Sequence, residues 1–395
     1  MKYDFETIVP RYHLGSNKWM EMKKVNPDIG PDIIPFSVAD MEFLNAPEII
    51  DDLKNFLDHT VLGYSGTTEE FRAAVCSWMK RKRNWNADPS WIVNTSGIVT
   101  AFFNAVKAYT EPGDGVLLLT PVYYPMYKAI SLNKRKLVES PLIYNGRQYD
   151  IDFEDFAKKA ADPSTKLFIM SSPHNPCSRI WRKEELEKLG KICLENNVIV
   201  ISDEIHFDLI MPGYEHTVFA SISDEFARNS VICTAPSKTF NLAGMQISNI
   251  FIPDADLRER YIRELSTSTL SVQCNILGYR ACQTAYERAE NWLDEAIAVI
   301  ARNRDIVADF IGKEMPQIKL IDLEATYLLW MDFNAFELDY KELERLNKVE
   351  GSLFFDEGYI FGEAGRGFER WNLACPTKYV IEGLERLKKT YKKYL

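Results

Sequence analysis

Three polar side chains follow short apolar runs of the kind that forms buried β-strands. Asn175, Asp203 and Lys238 each come shortly after a run rich in Val, Ile, Leu or Phe. Strands covered by helices on both faces are continuously apolar, and open α/β sheets bind ligands at the carboxyl ends of their strands. We therefore expect an amide, a carboxylate and an amine to share one crevice.

Lys238 and Asp203 together suggest a specific chemistry. A lysine in such a crevice is partly desolvated, which lowers its pKa and lets the neutral amine attack a carbonyl. An acid opposite it could keep the pyridine nitrogen of pyridoxal 5′-phosphate (PLP) protonated, so that the ring accepts an electron pair. Taken alone, each residue has a commoner role, Lys238 on the surface and Asp203 at a helix cap.

A phosphate site is suggested upstream, where Gly97 and Ile98 begin a helical stretch that reaches about residue 110. The first N–H groups of a helix bind anions, and Gly97 lets the backbone approach closely. Ser237 is a second candidate for the phosphate. The alternative is an ordinary helix cap by Ser96.

Arg370 is the candidate for binding a carboxylate. Its guanidinium can hold both oxygens through two parallel charge-assisted hydrogen bonds. The alternative is a surface arginine beside the glycine-containing loop at 362–367.

The elements that must position these residues indicate an α/β fold. Strand-like runs alternate with amphipathic helical stretches, which predicts βαβ units and a mainly parallel sheet. The clearest runs are 115–120, 166–171, 198–202, 231–235 and 247–253. Helical spacing then dominates from 256 to about 315, and shorter strands and helices beyond it predict a smaller α+β lobe.

Composition excludes several classes of protein. The chain has 395 residues, a formal net charge of −10 and a composition typical of globular proteins, so nucleic acid is not an expected partner. Seven scattered cysteines fit neither a disulfide framework nor a thiolate metal site, and the five histidines lack metal-ligand spacing. The sequence has no apolar signal core and no long apolar stretch. We therefore expect a cytoplasmic enzyme that has no metal and does not contact a membrane.

Several motifs resemble one known family. They are VADMEF at 38–43, PHNP at 173–176, DEIH at 203–206, SKTFNLAG at 237–244 and FERWNLACP at 368–376. Their order and spacing resemble fold-type I PLP enzymes, the aspartate aminotransferase superfamily. Within it, the runs at 38–43, 202–206 and 237–249 look most like MalY/PatB-type cystathionine β-lyases and cystalysin-like carbon–sulfur lyases.

The resemblance implies a role for each matching residue. Lys238 would carry PLP as a Schiff base and take the Cα proton, while Asp203 pairs with the pyridinium nitrogen. Asn175 would bind the phenolic oxygen near His206 and would also contact the substrate, whose carboxylate Arg370 would bind. Tyr123 would stack on the cofactor ring and take part in catalysis. Tyr124 and Asp40 would contact the substrate, and Tyr64 would reach the phosphate bound in the neighbouring subunit.

The resemblance also implies an architecture. A large PLP-binding domain over 48–288 would contain a seven-stranded, mainly parallel sheet. A small C-terminal domain would cover 289–395, and the N-terminal segment 1–47 would be part of that small domain. The role of Tyr64 implies a homodimer with active sites at the subunit interface.

The expected reaction is α,β-elimination from cystathionine, cystine or cysteine to a thiol or sulfide, pyruvate and ammonia. Transamination by a class I/II aminotransferase is the alternative, since both reactions begin by removing the Cα proton. A regulatory binding protein with secondary lyase activity is a third possibility. Gln246 departs from the wider superfamily, where many members have an arginine, and Ala235 and the Cys177-Ser178 pair depart from it as well.

Overall fold

The computed structural model describes residues 2–30, 32–268 and 274–394. Its strands are β1 Ile92–Thr95, β2 Gly115–Thr120, β3 Lys136–Pro141, β4 Ile143–Tyr144, β5 Tyr149–Asp150, β6 Thr165–Ser171, β7 Ile199–Asp203, β8 Ser230–Thr234, β9 Ser248–Phe251, β10 Lys319–Leu320, β11 Leu328–Asp332, β12 Asp356–Glu357 and β13 Phe368–Asn372. Seven of them form a large sheet in the order β1-β9-β8-β7-β6-β2-β3. Six of these strands run in the same direction, and β9 alone runs in the opposite one. The predicted α/β fold with a mainly parallel sheet is confirmed.

Helices cover both faces of the large sheet. The α-helices are α1 Asn17–Val25, α2 Pro47–His59, α3 Glu69–Arg83, α4 Ile98–Tyr109, α5 Pro125–Leu132, α6 Phe153–Ala160, α7 Lys183–Glu195, α8 Asp224–Arg228, α9 Pro236–Thr239, α10 Ala255–Ser268, α11 Ile276–Arg288, α12 Glu290–Glu314, α13 Tyr340–Arg345 and α14 Thr377–Tyr391. Successive side chains of a strand point to opposite faces. Thus Leu117 and Phe168 belong to one buried core, whereas Leu118 and Ile169 belong to another on the opposite face. This is why the central strands are apolar throughout.

A smaller antiparallel sheet has the order β10-β11-β13-β12. Residues from the start of the chain pack against it: Phe36 stacks on Phe355 with ring centroids 6.0 Å apart, and the Asn372 N–H donates to the Phe36 carbonyl at 2.9 Å. The next residues, 38–41, pass from this sheet to Lys238. The N-terminal segment therefore connects the small sheet to the carboxyl edge of the large one.

The helical stretch predicted over 256–315 consists of the separate helices α10, α11 and α12, and residues 269–273 within it lie outside the described residues. The Asn275 side chain caps α11 by accepting a hydrogen bond from the Gly278 N–H, which fixes where that helix begins. None of the helices in the described ranges is long and apolar enough to span a bilayer.

Candidate active site

One cavity of about 310 Å³ lies at the carboxyl ends of β6, β7 and β8. These strands are neighbours in the large sheet and run parallel, so the residues that follow them meet at one edge. Ten of the residues predicted from the sequence line it, namely Gly97, Ile98, Tyr123, Tyr124, Asn175, Asp203, His206, Ser237, Lys238 and Arg370. Tyr64 and Asp40 are the two predicted residues that do not.

Lys238 lies in the short helix α9, which begins directly after β8, and its side chain is half-buried. Its Nζ donates a hydrogen bond to the Ala39 carbonyl, and the Tyr327 hydroxyl donates to the same oxygen at 2.9 Å. Burial is the main cause that lowers the pKa of Lys238 to about 8. At pH 7 roughly one such amine in ten is therefore neutral and able to attack a carbonyl.

Asp203 ends β7 and is almost completely buried. The Ile205 N–H donates to its Oδ1 at 3.2 Å. Burial raises the pKa of Asp203 to about 7, while the nearby positive charge of Lys238 lowers it. A cationic group placed against this carboxylate would favour its ionised form for the same electrostatic reason.

Arg370 lies in the middle of β13 and is buried. Its Nη1 donates to Asn175 Oδ1 at 2.7 Å, and its Nε donates to Asp356 Oδ2 at 3.1 Å. The Nη2 group donates to the same Asp356 oxygen. The guanidinium is thus held by side chains from two different elements and points into the cavity.

The N-terminus of helix α4 also lines the cavity. Gly97 precedes the helix with φ 127° and ψ 161°, a combination that is essentially restricted to glycine. No side chain caps the start of α4, and residues 97–100 at this end of the helix line the cavity. The first N–H groups of the helix have no partner within it, which suits an anion. The side chains of Ser96 and Ser237 line the same cavity.

Two tyrosines and a histidine complete the predicted lining. The rings of Tyr123 and Tyr124 lie 5.3 Å apart, and burial raises the pKa of Tyr123 above its ordinary value. His206 is buried edge-to-face against Tyr327, with ring centroids 6.1 Å apart. Burial, reinforced by Lys238 and Arg370, holds the pKa of His206 well below 6.5. The imidazole is therefore neutral at pH 7.

Tyr64 and Asp40 lie outside this cavity. Tyr64 is fully exposed. The Asp40 carboxylate pairs with Arg11 at 3.2 Å and with the buried Lys18 at 2.7 Å, and it lines a neighbouring pocket. The structure of this chain alone brings neither side chain to the predicted cofactor or substrate position.

Sequence reasoning missed Asp356, Tyr327 and Val38, which also act at or beside the cavity. Asp356 holds Arg370, and its Oδ2 also accepts from the Val38 N–H at 2.9 Å. Tyr327 follows the Thr326 turn, and Val38 has φ 56°, an uncommon value for a β-branched residue. Val38 opens the motif at 38–43, but no motif marks Asp356 or Tyr327. The contacts from Asp356 to Val38 and from Tyr327 to Ala39 join positions 318 and 288 apart, which no local pattern reveals.

The cavity fits the PLP that the family resemblance implies. It offers helix N–H groups for a phosphate at the start of α4, an amine for the aldehyde at Lys238, and a buried carboxylate at Asp203 for a protonated pyridine nitrogen. Tyr123 provides a flat face suited to an aromatic ring. Gly97 leaves open space where a side chain would begin, since a Cβ built there meets no atom within 4 Å.

Comparison with known proteins gives a consistent result. The family model of aminotransferase class I and II matches residues 31–382. Cystathionine beta-lyase PatB of Bacillus subtilis (strain 168) is 43% identical over 358 residues, which are 90% of this chain and 92% of that protein. Protein MalY of Escherichia coli (strain K12) is 29% identical over 388 residues and covers 98% of both. The crystal structure of cystalysin from Treponema denticola, which contains a PLP cofactor, superposes with a TM-score of 0.97 at 49% identity and covers 100% of both chains.

Proposed function

The chain belongs to the aminotransferase class I and II family, and we propose that it is a PLP-dependent carbon–sulfur β-lyase. The substrate is an L-amino acid with sulfur on Cβ, such as cystathionine, cystine or cysteine. Water is consumed, and the products are a thiol or sulfide, pyruvate and ammonia. The 43% identity to a cystathionine beta-lyase and the 49% identity to cystalysin support this reaction over others in the family.

The observation that carries the proposal is the meeting of Lys238, Asp203 and Arg370 in one cavity. Lys238 would hold the cofactor aldehyde, Asp203 the pyridine nitrogen, and the N-terminus of α4 the phosphate. Asn175 and His206 would lie beside the ring, with Tyr123 against its face. PLP, when bound, accepts the electron pair that Cα releases.

The chain's own residues orient the substrate and move the proton. Arg370 binds the α-carboxylate through its remaining N–H groups and so fixes the direction of the Cα–H bond. The Lys238 amine, which is neutral in part because burial lowers its pKa to about 8, would take the proton from Cα. The electron pair left at Cα would then form the Cα=Cβ double bond, while the Cβ–S bond breaks and the sulfur leaves with the bonding pair of that bond.

Product analysis tests this proposal. L-Cystathionine incubated with the holoenzyme should yield pyruvate and homocysteine in equal amounts without any added 2-oxo acid. Turnover that requires a 2-oxo acid acceptor and forms no pyruvate would instead identify an aminotransferase, which the shared Cα chemistry also allows. Lys238→Ala should abolish the reaction, whereas Lys166→Ala, a change at an exposed strand lysine, should not.

We propose further that two copies form a homodimer in which Tyr64 of one serves the phosphate in the other. In support, Tyr64 is fully exposed and its neighbours Val61 and Leu62 are exposed apolar side chains, which are typical of a surface that another chain covers. Sedimentation should show a dimer. Tyr64→Ala should weaken cofactor retention, and a control at exposed Tyr214 should not; a fully active, PLP-loaded monomer would refute this arrangement.

We also propose that the protein works in the cytoplasm. Its seven cysteines are free thiols, which suits a reducing compartment. Fractionation of cells that express the tagged protein tests this, and recovery outside the cytoplasm would contradict it.

A further inference from the structure

The backbone carbonyl of Ala39 accepts hydrogen bonds from two side chains. One donor is the Nζ of Lys238, and the other is the hydroxyl of Tyr327 at 2.9 Å. A carbonyl oxygen has two lone pairs, so it can hold both donors at once. The amine that the proposed reaction uses therefore shares its acceptor with a buried tyrosine.

The Ala39 carbonyl is held in place independently of these two donors. The carbonyls of Val38 and Asp40, on either side of it, both accept from Asn372 Nδ2, at 2.8 and 2.7 Å. The Val38 N–H donates to Asp356 Oδ2 at 2.9 Å. If one donor to Ala39 is lost, the carbonyl should stay where it is, and the other donor then has the oxygen to itself.

The charged side chains that face Lys238 have opposing effects on its protonation. Burial is the main cause that lowers the pKa of Lys238; Asp40 and Asp203 raise it, whereas Arg370 and Lys18 lower it. Because these charges partly cancel, a neutral dipole in contact with the acceptor of the amine can shift the balance between its two forms.

Tyr327 remains a donor over the whole range in which Lys238 titrates. Its side chain is completely buried, and burial, followed by the negative charge of Asp40, raises the pKa of its hydroxyl well above the ordinary value. Its ring lies against His206, which is neutral at pH 7 and adds no charge. The hydroxyl proton is therefore available to the Ala39 oxygen at every pH at which the amine changes its charge.

A second donor on one oxygen affects the two forms of the amine differently. The hydroxyl reduces the negative potential at the oxygen and brings the positive end of its own dipole toward the amine. The protonated amine loses more from this than the neutral amine does, because hydrogen bonds from charged donors are the stronger ones.

We infer that Tyr327 is a positioning residue that competes with Lys238 for the Ala39 carbonyl and so favours the neutral, reactive amine. This inference rests on the proposed function, since it takes Lys238 as the amine that reacts with the cofactor aldehyde. It adds a residue that acts on the reactive nitrogen through a shared backbone oxygen.

The pH dependence of PLP uptake by the full-length, cofactor-free protein tests this role without any turnover. Stopped-flow absorption gives the pH at which the rate is half its maximum. Tyr327→Phe removes the hydroxyl and keeps the ring, so this midpoint should rise by about 0.5 pH unit. Tyr109→Phe is the matched control, because Tyr109 is buried, donates to the Leu257 carbonyl at 2.9 Å and does not line the cavity. It should keep the midpoint of the wild type.

Incorporation of 3-fluorotyrosine at position 327 gives a second measurement with almost no change of shape. Fluorine makes the hydroxyl more acidic and hence a stronger donor, so the midpoint should fall below that of the wild type. If Tyr327→Phe does not fold, the direction of this shift decides alone.

The direction of the shifts separates competition from a purely structural role. If Tyr327 only holds the segment around Ala39, its loss should lower the midpoint or leave it unchanged, and either result would overturn the inference. An unchanged or higher midpoint with 3-fluorotyrosine would overturn it as well. If the midpoints shift as expected but cystathionine yields no pyruvate, the proposed lyase activity fails and the role of Tyr327 stands. If cystathionine is cleaved while the midpoints coincide, the inference fails and the proposed function stands.

Discussion

The substitution Arg370→Lys tests the assignment of the carboxylate clamp. Lysine retains the positive charge but lacks the planar fork that binds two carboxylate oxygens at once. Arg370 is fixed by Asn175 at 2.7 Å and by Asp356 at 3.1 Å. A single ammonium group cannot reproduce both contacts and also bind both oxygens of the substrate.

The magnitude follows from the hydrogen bonds that are lost. Hydrogen bonds between charged partners contribute about 1.5–3 kcal/mol each. Since lysine keeps one bond and the charge, we expect a net loss of about 2–3 kcal/mol in substrate binding, which is roughly a 30- to 160-fold rise in KM. The value of kcat should fall as well, because the carboxylate also orients Cα for removal of its proton.

Pyruvate release from L-cystathionine measures both constants, and cofactor absorption confirms that each variant carries PLP. The matched control is Arg366→Lys, four positions upstream, where the exposed arginine pairs with Glu363 at 3.0 Å. It should leave KM and kcat unchanged. A rise in KM of less than threefold for Arg370→Lys, with cofactor content intact, would refute the reasoning.

Two further predictions concern cofactor binding. Because the pKa of Lys238 is lowered to about 8, half of its amine is neutral at that pH. The rate at which cofactor-free protein takes up PLP should therefore rise with a midpoint near pH 8 and level off about one pH unit higher. A midpoint above about pH 10 in stopped-flow absorption, the range of an unperturbed lysine, would contradict this. Gly97→Ala should lower the free energy of unfolding by about 1–3 kcal/mol, since its backbone conformation suits only glycine, and should weaken PLP retention. Gly63→Ala is the control, because Gly63 has an ordinary backbone conformation and open space around the position of a Cβ. If the two variants unfold at the same temperature, the proposed backbone strain of alanine at position 97 would be refuted.

Much of the fold could be predicted from the chain. The run 115–120 coincides with β2, and the runs before Asn175, Asp203 and Lys238 differ from β6, β7 and β8 by one residue at their ends. Buried parallel strands leave a clear signal because both faces require apolar side chains. The short strands of the small sheet leave a weaker signal than the buried parallel strands do. Short edge pairs such as β12 leave almost no pattern.

The residues of the active site also differ in how far the sequence predicts them. Local sequence predicted that Lys238, Asp203 and Asn175 share one crevice, because each lies at or shortly after the end of an apolar strand, and parallel strands bring those ends to one edge. Only the tertiary structure decided that Asp356 holds Arg370 and that Ala39 and Tyr327 meet Lys238. Strand propensity and apolar pattern are properties of neighbouring residues. Asp356 and Arg370 meet only when β12 pairs with β13. Ala39 meets Tyr327 and Lys238, 288 and 199 positions away, only when the N-terminal segment reaches the carboxyl edge of the large sheet.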